Sequence, residues 1–72
     1  MITFEEAKAK VKAKGRNVDH CEEYDKAFLF WNEEGEDGEP IAVMKDNGQL
    51  KSMIQFSIIP DNELIREIRM RE

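Results

Sequence analysis

The sequence predicts a small α+β domain of order α-β-β-β-α, a three-stranded antiparallel meander with an N-terminal helix and a C-terminal helix. Three features carry that expectation: a capped N-terminal segment, an aromatic run at residues 27–31, and an Asn-Gly pair between two apolar runs. With 72 residues the chain forms one domain, residues 1–72. A chain of this size buries only roughly 60% of the surface it exposes when unfolded, so its core is thin.

The first helix has to be argued, because residues 7–13 alternate alanine or valine with lysine, as a strand would. Thr3 and Glu6 have the spacing of a capping box, in which each side chain satisfies the other residue's backbone N–H. Glu5 and Glu6 fall where the helix dipole favours negative charge, Glu6 precedes Lys10 by four, and Gly15 suits a left-handed end. Phe4, Ala7 and Val11 share one helical face. The expectation is a helix from about residue 4 to 14, with the alternation incidental because alanine is too small to define a strand face.

Residues 18–31 read as one strand, polar at first and aromatic at its end. Period two puts Tyr24, Lys26, Phe28 and Phe30 on one side, with Ala27, Leu29 and Trp31 on the other. Residues 32–39 hold two glycines and five acids and read as a loop. Asn47-Gly48 favours a two-residue type I′ turn, which would set Lys45 opposite Leu50, Val43 opposite Ser52 and Ile41 opposite Ile54. Ile41, Val43, Leu50, Ile54 and Phe56 then form the core face, with Met44 and Met53 on the opposite one. Residues 60–72 suit a helix capped by Asp61, with Leu64, Ile65 and Ile68 as its apolar stripe. A fourth strand through Leu64, Ile68 and Met70 also fits. The layer argument places the helices on one side of the sheet and leaves a more polar second face.

Charge is divided unevenly. The net charge of −5 combines a basic N-terminal segment with residues 19–39, where nine acids face Lys26 alone. The lysines at 8, 10, 12 and 14 surround the helix instead of forming a stripe, so they read as a solvated surface, and a nucleic-acid-binding role for this helix is the alternative reading. One cysteine, Cys21, excludes an internal disulfide and fits a reducing compartment, so a cytoplasmic location is expected. The N-terminal residues, acidic and without a long apolar run, do not read as a signal peptide, no run of ~20 apolar residues occurs, and no membrane association is expected.

Chemistry is sparse. His20 and Cys21 are the only candidates for a nucleophile pair, and adjacent strand residues point to opposite faces. One histidine and one cysteine fall short of a usual zinc set, and the acidic loop lacks EF-hand spacing. No catalytic residue, metal ligand or cofactor is expected, and the chain is read as a non-enzyme. Trp31, beside the acidic stretch, is a candidate anchor for a protein partner together with Glu33, Glu34, Glu36 and Asp37. A basic partner would complement those acids, and an unpaired sheet edge also offers a homodimer by strand addition.

The segments "TFEEA" at 3–7, "KAFLFWN" at 26–32 and "PIAVMKDNGQL" at 40–50 occur in the order found in a kind of small bacterial domain. On these segments the chain resembles the YrhB-type immunity proteins of polymorphic toxin systems. A similar outline occurs in PepSY-type domains, which are usually exported. The immunity resemblance implies a non-enzymatic module that binds a toxin protein, and it carries over no catalytic residue.

Overall fold

A computed structural model describes residues 1–32 and 39–70. The α+β class holds, but the sheet has five strands, not three. In chain order the elements are α1 (Phe4–Ala13), β1 (His20–Tyr24), β2 (Ala27–Trp31), β3 (Ile41–Met44), β4 (Leu50–Ser52), α2 (Met53–Ser57) and β5 (Leu64–Arg69). The spatial order is β4-β3-β2-β1-β5, antiparallel throughout.

α1 forms as its sequence requires. Thr3 accepts from the Glu6 N–H at 3.2 Å, and the Thr3 N–H donates to Glu6 Oε1 at 2.9 Å. The backbone hydrogen bond from Thr3 holds the Glu6 carboxyl below its usual range. Gly15 closes the helix at φ 79°. Ala7 and Val11 are buried, and Phe4 stacks on Phe30 with centroids 6.0 Å apart.

Four expectations need correction. Residues 18–31 are a hairpin, because the chain reverses at Asp25 and Lys26. The 60–63 segment ties down that reversal: the Lys26 N–H donates to Asn62 Oδ1 at 2.8 Å and the Asp25 N–H to the Glu63 carbonyl at 3.0 Å. Tyr24 therefore pairs back toward Ala27's side of the sheet, away from Phe28 and Phe30.

The second correction concerns the Asn-Gly hairpin. Its register is slipped by two residues, with Ile41 opposite Ser52 and Val43 opposite Leu50. Only Gly48 takes positive φ, at 71°, so the turn is not type I′. A four-residue loop closes instead: the Gly48 N–H donates to the Met44 carbonyl at 2.8 Å, and Asn47 Oδ1 accepts from the Gln49 N–H at 2.8 Å. Because the slip is even, Val43 and Leu50 keep their assigned face.

Third, residues 53–57 are helical. Ser52 and Gln55 form a second capping box, with Gln55 N–H to Ser52 Oγ at 3.2 Å and Ser52 N–H to Gln55 Oε1 at 2.9 Å. Ile54, assigned to the core, is 74% exposed, and Phe56 is buried on the face opposite α1.

Fourth, the expected C-terminal helix is β5. It lies against β1, where it sets Cys21 opposite Ile68 and Glu22 opposite Glu67, with a bulge near Leu64. The chain runs from β4, at one edge, across a sheet face to β5 at the other. Both faces are consequently covered in part, and the second is less polar than expected. α1 lies over Cys21, Phe28, Phe30 and Val43, while α2 brings Phe56 onto Ala27, Leu29 and Ala42. Met44 and Met53 border that second cluster. Among the described residues no helix is long and apolar enough to cross a membrane.

Candidate functional site

β2, β1 and β5 place Trp31, His20 and Arg69 in one cross-strand row on the face that carries α2. The next row holds Leu29, Glu22 and Glu67. α2 covers Ala27, Leu29 and Ala42 on this face, on the β2 and β3 side of these rows.

Trp31 is half-buried at the margin of the second cluster. Its indole stacks on the His20 imidazole, with centroids 5.4 Å apart and planes 17° apart. His20 Nδ1 lies 2.8 Å from Asp19 Oδ1, which fixes the ring against rotation. A recess of about 390 Å³ opens beside them, lined by His20, Cys21, Trp31, Glu67, Ile68 and Arg69. Trp31 thus serves both as packing and as the wall of an open recess. Glu33, Glu34, Glu36 and Asp37, the other candidates from the sequence, lie outside the described residues.

Tyr24 closes the row toward α2. Its ring meets Phe56 edge-on at 4.8 Å, and its hydroxyl donates to Glu22 Oε1 at 2.9 Å. Burial first, and then that acceptor, push the phenol up to about 12.

His20 and Cys21 do point to opposite faces. Cys21 is 1% exposed in the α1-side core. Burial, and secondarily the Glu23 carboxylate, push its thiol up to about 12. The thiolate that a nucleophile or metal ligand requires is therefore disfavoured. Among the described residues no group of three or more His, Cys, Asp and Glu is placed to hold a metal ion.

One cluster escaped the sequence reading. On the α1 face Glu23 bridges two cations, with Lys45 Nζ at 2.7 Å from Oε2 and Arg66 Nε at 2.7 Å from Oε1. The two hydrogen bonds, Lys45's first, hold the Glu23 carboxyl below its usual range. Lys45 is 6% exposed and its ammonium lies 5.1 Å from the Phe28 ring centroid. Glu23 on β1, Arg66 on β5 and Lys45 just after β3 are joined only by the order of the sheet, so no local pattern could have revealed them. All three are occupied with one another, which makes the cluster a structural clamp.

Lys10 and Lys12 of α1 and the capping Lys14 are exposed around the helix, and Lys10 folds its stem over Gly48. Comparison of the chain with protein-family models, with curated proteins and with solved structures finds no match.

Proposed function

We propose that this chain is a non-enzymatic protein-binding module of immunity or inhibitor type, which engages a basic partner through Trp31 and the acidic residues that follow it. The observation that carries this reading is the Trp31–His20 stack: a large aromatic ring held in one orientation yet left half-open beside a recess. Rigid aromatic residues with an open face are characteristic anchors of protein interfaces. Glu33, Glu34, Glu36 and Asp37 follow the anchor directly in sequence and would speed association with a positively charged surface. The resemblance to YrhB-type immunity proteins points the same way and suggests a toxin as the partner.

The test uses three baits in extracts of the native cell: wild type, Trp31→Ala, and the quadruple change of Glu33, Glu34, Glu36 and Asp37 to Ser. The expected result is one basic protein held by wild type, weakened by the quadruple change and lost with Trp31→Ala, while circular dichroism shows all three baits folded. Equal capture by the three baits would move the interface elsewhere. No capture by any bait would remove the reading.

A further inference from the structure

We propose that two copies of this chain join edge to edge through β5 into one continuous ten-stranded sheet, with Ile68 on the two-fold axis. This inference rests on the strand pattern, though Glu67 and Arg69 also line the recess beside Trp31.

The two edges of the sheet are treated differently. β4 is three residues long and is ended at once by α2. β5 has six residues, five of them exposed, and among the described elements it packs only on β1. It contains no proline, and its bulge lies at its beginning, so residues 66–70 run regularly. A long regular edge of this kind is a template for another strand.

The backbone phase of that edge follows from β1. The Met70 N–H donates to the Asp19 carbonyl at 3.1 Å. In an antiparallel pair the bonded positions alternate, so Ile68 and Arg66 also turn their backbone groups toward β1. Glu67 and Arg69 are left turning theirs outward.

Symmetry then restricts the register. An antiparallel edge-to-edge pair is related by a two-fold axis normal to the sheet, which keeps like faces together. The axis must therefore pass through a residue and not between two. Centred on Arg66, Glu67 or Arg69, it sets a charge against its own copy. Centred on Ile65, it sets Glu67 against Glu63 of the second copy. Centred on Ile68, it sets Glu67 against Arg69 of the second copy, and does so twice. Those two positions are also the ones whose N–H and C=O point outward, so each Glu–Arg pair coincides with a reciprocal pair of backbone hydrogen bonds. On the α1 face Ile68 meets Ile68 of the second copy.

Edge charges normally keep foreign strands away. Here their order, Glu67 then Arg69, makes them complementary to an antiparallel copy of the same strand. Within the chain neither residue forms a salt bridge among the described residues, so both are available. Opposite charges directly across an antiparallel pair are stabilising, and like charges there are destabilising.

The experiment is sedimentation equilibrium of the full chain from micromolar to millimolar concentration. Wild type is expected to approach dimer mass at the upper end. Glu67→Arg and Arg69→Glu, taken singly, each set like charges across the axis and are expected to weaken association at least tenfold. The double change, Glu67→Arg with Arg69→Glu, restores opposite charges and is expected to recover most of it. Glu67→Pro removes an outward N–H that β1 does not use, and is expected to give a folded monomer, with circular dichroism as the check on folding. Monomeric wild type throughout would overturn the proposal. So would dimerisation that both single changes leave intact, or a double change as weak as the singles.

Discussion

Glu23 is the residue on which the α1 face depends electrostatically. Lys45 carries its charge into the interior, and Glu23 is its neutralising partner. Removing one member of a buried pair leaves the other uncompensated, so Glu23→Ala is expected to cost about 3 kcal/mol in urea unfolding. Lys45→Met is expected to cost less, because Glu23 keeps Arg66 and some contact with water. The pH dependence follows from the same geometry. The folded state favours the ionised carboxylate, so its folded pKa lies below the unfolded one. Its contribution to stability is complete above the ordinary glutamate range and is lost as pH falls through the folded value. Unfolding midpoints measured downward from pH 6 should fall less steeply in Glu23→Gln than in wild type. A variant with the wild-type acid slope would show that Glu23 is not linked to folding.

At the scale of elements, the decisive signals are short and polar. Ser52 ends β4 and starts α2 in one step, since its hydroxyl caps the helix that turns the chain onto the second face. Ser52→Ala is expected to cost about 1 kcal/mol, read as a lower thermal midpoint, whereas Ser57→Ala, past the cap, should have a much smaller effect. A midpoint unchanged by Ser52→Ala would mean that packing of Phe56 alone sets the turn. The same residue shows why part of the fold was legible and part was not. α1 announced itself because its cap, its charges and Gly15 agree. β2 was legible from its aromatic run, and the alternation within β3 fixed its faces whatever the turn. The cap at Ser52 was hidden inside an apolar stretch that also satisfies strand alternation. The reversal at Asp25 and Lys26 has neither glycine nor proline, and is held by Asn62 and Glu63 from far along the chain. β5 fits both a helical and a strand period, and the pairing with β1 decides between them. Of the candidate site, Trp31 was visible as an aromatic at a strand end beside acids. Its stacking on His20 required the hairpin register.

The whole molecule is a sheet with a thin core on each face. α1 seals one side, and a five-residue helix with its flanking loop seals part of the other. Stability in a domain of this size is a small difference between large opposing terms, so the two layers are expected to melt together. Cys21 lies at the centre of this arrangement, under α1 and between the strands that carry Phe30 and Ile68. The chain therefore contains its own clock. A thiol reagent added at neutral pH meets a sulfur that is both shielded and protonated, and reaction must wait for the sheet to part. Release of thionitrobenzoate should be slow in wild type and should accelerate in Glu23→Ala, with the logarithm of the rate rising in proportion to the stability lost. A wild-type protein that reacts as fast as free cysteine would place Cys21 outside the core. Tied to opening in this way, one sulfur atom times the intervals between departures from the folded state.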